Sequence, residues 1–114
     1  MKLEQIAVIF SNFSSQDSAK AVAKQLMDEN LATCANIMAP HYAIYPWDEQ
    51  IQEEEETATL FKTPIEKKDA LVKRLREIHP YDLPPIIAYE AEATDDYVKW
   101  LNDPYNYKPE VTKS

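Results

Sequence analysis

Apolar residues recur along this chain at two periods, and the period changes mark the elements. Residues 5–12 (QIAVIFSN) are an apolar run of strand length in which Ile6, Val8 and Phe10 share one face. Ser14 or Ser15 then offers a helix N-cap. Ala19, Val22, Ala23, Leu26 and Met27 follow at helical spacing, as one stripe of a helix running to about Glu29. Asn30 stands where a left-handed cap is expected. From Thr33 to Thr63 the pattern is that of two long strands folding back at Asp48–Glu49. At roughly 3.3 Å per residue each arm reaches about 45 Å, whereas a compact domain of this length has a radius of gyration near ~13 Å. One parity of the first arm carries Ala35, Ile37, Ala39, Ala43, Tyr45 and Trp47, and the other carries Cys34, Met38, Tyr42 and Ile44. Both faces therefore call for burial, and the far end needs a second copy to cover it. Pro40 and Pro46 cannot donate to a ladder, so each predicts a bulge or an unpaired edge. The run Glu53–Glu56 splits two and two between the faces, with Glu53 and Glu55 solvated.

Thr63-Pro64-Ile65-Glu66 reads as a helix start, with Thr63 as N-cap and Pro64 in the first position. Ile65, Leu71, Val72, Leu75 and Ile78 make its buried stripe, and Pro80 ends it. Pro84–Pro85 lead into a strand over about 86–92, and Thr94 caps a short third helix holding Tyr97, Val98, Trp100 and Leu101. The tail from Pro104 reads as extended. The order β-α-β-β-α-β-α predicts an α+β fold, a four-stranded antiparallel sheet with helices on one face and the other face open to self-association.

Composition narrows the functional classes. The 114 residues make one domain, with a core at 5–102 and a tail at 103–114. A net charge of −8 argues against duplex nucleic acid and anionic membrane as partners. No stretch approaches the ~20 apolar residues of a membrane span. One cysteine suits a reducing compartment, and the start MKLEQIAVIF has too short an apolar run for a signal peptide, so cytoplasmic is the expected location. Glycine is absent, which removes every Gly-rich phosphate loop and leaves left-handed backbone positions to Asn, Asp or a strained residue.

The set A-T-C-A-N-I at 32–37, I-Y-P-W-D at 44–48, K-T at 62–63, H-P-Y-D-L-P at 79–84 and D-Y-V-K-W-L at 96–101 resembles the CutA family of divalent-cation tolerance proteins in order and spacing. The resemblance covers about residues 5–102. It implies a ferredoxin-like fold, a tight homotrimer similar in architecture to the nitrogen-regulatory PII proteins, and a link to tolerance of copper and other divalent metals. Two positions depart from the pattern. Glu49 stands where the family's hairpin turn carries Gly, and Pro46 where an Arg or aromatic residue is usual.

Cys34 offers a soft thiolate for copper or zinc, or else a small core residue. His79 offers an imidazole nitrogen, or else caps a helix C-terminus. Glu56 and Lys62 share a parity on the returning arm, and Lys62 either pairs or snorkels. Trp47 and Tyr81 read as packing residues, and with Glu56 and Lys62 they form a candidate cleft between subunits. His41 does not match the family pattern. Two soft ligands fall short of the four that a structural site takes, and no serine, histidine and aspartate spacing forms a hydrolytic triad. The leading expectation is a non-enzymatic cytoplasmic homotrimer for metal-ion response, binding Cu2+ or another divalent ion weakly through Cys34 and His79. The alternatives are a PII-like signalling trimer with an effector or partner between subunits, and an enzyme using Glu56, Lys62 and His79.

Overall fold

A computed structural model describes residues 1–109. Strand β1 (Leu3–Phe13) leads into helix α1 (Gln16–Asp28), and the hairpin follows as β2 (Cys34–Trp47) and β3 (Gln50–Pro64). A 3-10 turn (Ile65–Lys67) opens helix α2 (Lys68–Ile78), and β4 (Ile86–Thr94) and α3 (Asp95–Asn102) complete the core. The sheet is antiparallel in the order β2-β3-β1-β4, the split arrangement of an α+β, ferredoxin-like fold.

Local chemistry fixes most boundaries. Ser15 caps α1, its hydroxyl accepting from the Ser18 N–H at 3.1 Å. Asn30 takes the left-handed conformation (φ 60°), so Leu31 and Ala32 N–H donate back to the Leu26 carbonyl and the chain drops into β2. Thr63 does not cap α2. Its backbone stays in the ladder opposite Ala7 and its Oγ1 donates to the Leu31 carbonyl at 2.7 Å, so the helix begins only after the 3-10 turn. Thr94 precedes α3 but makes no capping bond. Oδ1 of Asp95 and of Asp96 accept the N–H groups of Asp96 and Tyr97 instead. Beyond α3 the chain turns at 104–106 rather than running extended, and half-buried Tyr107 lies beside Trp100. The rest of the tail, 110–114, is outside the described residues.

Helices α1 and α2 cover the sheet face made by Ala7, Ile9, Phe13 and Phe61, with Ala19, Ala23, Leu26, Leu71 and Leu75 closing the core. Burying each of the larger side chains, Ile9, Phe13, Phe61, Leu26, Leu71 and Leu75, contributes roughly 1.5–3 kcal/mol. Met27, on the flank of the α1 stripe, is left exposed. The third helix goes to the opposite face, where Val98 and Leu101 pack on Ile6 with Val8, Ala91 and Ala93 around them. Helices are thus not confined to one face, because the odd and even residues of β1 are apolar alike. Further along that second face Ile87 and Tyr89 stay half exposed.

The hairpin carries an extra residue between Ile37 and Pro40. This bulge, expected beside Pro40, exchanges the faces of β2. Cys34 pairs with Lys62 below it and Ala43, Tyr45 and Trp47 pair with Glu54, Gln52 and Gln50 above it, so these residues share one side, while Ala35 and Ile37 join Tyr42 and Ile44. The parities that a straight strand would impose therefore hold only below the bulge. Pro46 sits in register opposite Ile51 on the outermost strand, an edge position that tolerates a missing donor. The hairpin draws the molecule out to 55 × 29 × 24 Å with a radius of gyration of 16.0 Å, above the ~13 Å of a compact chain this long.

Asp48 (φ 52°) and Glu49 (φ 63°) close the hairpin with two left-handed residues, a type I′ geometry that favours glycine in its second place. Glu49→Gly is expected to raise stability by about 0.5–1 kcal/mol, since relief of the left-handed penalty exceeds the added freedom of the unfolded chain. Urea unfolding would show a higher midpoint at unchanged slope, and a lower midpoint would contradict the assignment.

Candidate functional site

His79 follows the last turn of α2, its backbone N–H donating to the Leu75 carbonyl at 2.9 Å. Its ring stacks on Phe13 at 4.5 Å between centroids and meets the Tyr81 ring edge-on at 4.8 Å. Nε2 lies 2.8 Å from the Asn12 carbonyl oxygen, and the Tyr81 N–H donates to Nδ1 at 3.1 Å. A carbonyl only accepts, so Nε2 carries the hydrogen, and the Nδ1 lone pair is taken. Burial holds the His79 pKa below the ordinary histidine range, with the bond to Asn12 opposing more weakly. The result is a neutral imidazole of fixed tautomer with no lone pair left for a metal ion.

Cys34 opens β2, half-buried, with Sγ 3.8 Å from Asn36 Oδ1. Its rung continues through Lys62 to Val8, whereas His79 is bound at Asn12 and Phe13. The two levels differ by four residues of β1, about 13 Å along the strand, and Cys34 lies on the sheet face opposite Phe13. One chain does not bring Cys34 and His79 together. Among the described residues no group of three or more His, Cys, Asp or Glu stands close enough to hold a metal ion.

Trp47, Glu56 and Tyr81 do converge, in a cleft of ≈ 1000 Å³ between the hairpin and the loop at 80–85. Lys62 does not join them. It shares the parity of Glu56 as expected, but six residues along β3 separate the two by about 20 Å, and its Nζ lies 5.7 Å from the centre of the Tyr97 ring. In the cleft the Tyr81 hydroxyl donates to Glu56 Oε2 at 3.1 Å and the Tyr45 hydroxyl to Glu54 Oε2 at 2.8 Å. Burial, and then the Glu56 charge, push the Tyr81 pKa far up, so it stays a hydroxyl donor. The bond to Glu54 raises that of Tyr45. Sequence reasoning missed Tyr45, Glu54, Asp82 and Asn12 as wall residues. The bulge beside Pro40 was the available signal, since it alone puts Tyr45 on the side of the even-numbered glutamates.

The profile of the CutA1 divalent ion tolerance protein family matches residues 7–104. The divalent-cation tolerance protein CutA of Pyrococcus horikoshii is 37% identical over 95 residues, spanning 82% of this chain and 92% of that protein. The crystal structure of divalent ion tolerance protein CutA1 from Ehrlichia chaffeensis superposes with a TM-score of 0.83 at 28% identity, covering 86% of this chain and 92% of the other. A structure described as the periplasmic divalent cation tolerance protein CutA from Archaeoglobus fulgidus gives a TM-score of 0.78 at 27% identity, covering 84% and 94%.

The burial of His79 has a measurable consequence. Its folded pKa lies below the unfolded value near ~6.5, so the unfolded chain binds the proton first, and stability rises with pH across the interval between the two values. The contribution is complete above about pH 6.5 and is lost as pH falls through that value towards the folded pKa. Denaturant melts of wild type and His79→Gln at successive pH values are expected to differ most above pH ~6.5 and to converge towards pH ~5. A difference independent of pH would contradict the assignment.

Proposed function

The chain belongs to the CutA1 divalent ion tolerance family, and we propose that it serves tolerance of divalent metal ions as a cytoplasmic homotrimer that binds copper weakly. The observation that carries this reading is the match of nearly the whole described core, 7–104, to proteins named for that tolerance. The assembly is supported by surface chemistry. Tyr42, Ile44, Ile51 and Trp47 at the hairpin end are 77%, 65%, 69% and 55% exposed, and β2 presents an unpaired edge beside them. A long edge with large apolar side chains on both faces is stable in water when another copy covers it. A three-fold, PII-like arrangement would also use the open sheet face around Ile87 and Tyr89. Light scattering is expected to give three times the chain mass at micromolar concentration, and a folded monomer would overturn the assembly.

For the metal, Cys34 supplies the accessible soft ligand, while His79 serves packing. Water, a carboxylate or another copy must complete the coordination, which makes the binding weak and exchangeable. No reaction is assigned to the chain. The free thiol favours a reducing compartment, although the Archaeoglobus fulgidus relative is described as periplasmic, and cell fractionation separates the two. Anaerobic calorimetry with Cu2+ is expected to show roughly tenfold or greater weakening in Cys34→Ser and unchanged affinity at pH ~7 in His79→Gln. Full affinity in Cys34→Ser would move binding to the acidic run Glu53–Glu56 of the hairpin.

A further inference from the structure

Among the described residues Glu56 is the only buried carboxylate, 8% exposed. The Tyr81 hydroxyl that meets its Oε2 is a neutral donor. Among the described residues no Lys or Arg stands within ion-pair distance of Glu56. A carboxylate placed so deep is costly unless a positive group answers it. The four strands hold one Lys or Arg between them, and it is Lys62. Its half-buried side chain rests its ammonium over the Tyr97 ring and meets no carboxylate among the described residues. The other Lys and Arg between residues 3 and 94 stand on α1, the 3-10 turn and α2, across the sheet. The two charges occupy opposite ends of one row on β3, Glu56, Ala58, Leu60 and Lys62. Leu60 pairs with Phe10 and so adjoins Ile87, and Lys62 pairs with Val8 and so adjoins Tyr89, which makes the row part of the open apolar sheet face. About 20 Å separates the two charges within a chain, farther than a lysine side chain reaches.

We propose that Lys62 of one copy enters the hairpin cleft of the next and pairs there with Glu56. The inference rests on the homotrimer proposed above and names a contact inside it. A ring of identical chains joins two different patches of each copy. Joining like ends of the open face would set ammonium against ammonium and carboxylate against carboxylate, which repulsion opposes. Joining the Lys62 end of one face to the Glu56 end of the next covers the exposed Ile87 and Tyr89 and answers both charges together. One Lys62 and one Glu56 per chain leave neither charge over when the ring closes. The chemistry of the cleft suits this occupant. An ammonium group only donates, and Glu56 keeps Oε1 for a donor beyond Tyr81. The Trp47, Tyr45 and Tyr81 side chains give the lysine methylenes an apolar wall. The cleft is thereby a site that one chain builds and the neighbouring copy completes.

A double-mutant cycle on the assembly tests the pair, with light scattering over a dilution series giving the fraction assembled. Lys62→Met and Glu56→Gln are each expected to weaken association by roughly tenfold or more. The double variant is expected to be no weaker than the worse of the two. Residues about 20 Å apart in one chain act additively, so a shared loss reports contact between copies. Glu92→Gln, on the other side of the sheet, is expected to leave association unchanged. Multiplied losses in the double variant would overturn the proposal. Lys62→Glu leaves the cleft itself intact and serves even where Glu56→Gln unfolds. It is expected to give folded monomers at micromolar concentration, whereas Lys62→Arg stays assembled. An intact trimer in Lys62→Glu would overturn the pair and leave the assembly standing, and a monomeric wild type would overturn both.

Discussion

The pairing of β3 with β2 continues past the point where β1 stops, and the rest of the molecule follows from that inequality. β1 ends at Phe13, opposite Thr57, while β3 runs on unaccompanied to Gln50 with only β2 beside it. Glu56 is therefore the first residue beyond the three-stranded part of the sheet. At this level the loop at 80–85 reaches β3 instead, through the Tyr81 hydroxyl that donates to Glu56. A two-stranded ribbon is marginal in water unless something packs on it. The base of this one is held by the loop, and its end projects with Tyr42, Ile44, Trp47 and Ile51 exposed. The cleft, the elongated shape and the uncovered apolar surface share this one cause.

The bulge between Ile37 and Pro40 decides what the cleft contains. Without it Tyr42 and Ile44 would stand beside Glu54 and Glu56, and Tyr45 and Trp47 would turn to the other face. One inserted residue instead brings hydroxyl donors and an indole to the glutamate side and keeps Cys34 with Lys62 below. The proline that follows cannot continue the ladder as a donor, which makes the irregularity a feature of the sequence as well as of the backbone.

Much of the fold was legible because periodicity and terminators carry it. Ser15, Asn30 and the turn at Asp48–Glu49 act where the sequence places them, since capping and left-handed backbone are local requirements. Thr63 fails as a cap because long-range ladder pairing and the bond to Leu31 compete for it, and local signals do not register such competition. The face taken by α3 was equally hidden, because β1 is apolar at both parities. Cys34 and His79 looked like partners as residue types, but only register reveals that they occupy different levels and faces. Trp47, Glu56 and Tyr81 were recognised together, whereas Tyr45 and Glu54 required the consequence of the bulge to be followed up the strand.

His79 shows how a residue suited to metal chemistry is consumed by structure. Neutral imidazole has one donor and one acceptor on opposite sides of a flat ring. The end of β1 presents a carbonyl at Asn12, and the loop presents an N–H at Tyr81. Only a side chain with both functions, thin enough to stack on Phe13, joins them while filling the core end. The same contacts that place Tyr81 against His79 aim its hydroxyl at Glu56, so the histidine acts on the cleft by holding one of its walls. Metal binding then has to draw on groups that the fold has not already used. Cys34, half-buried at the start of β2, is such a group by its softness and position.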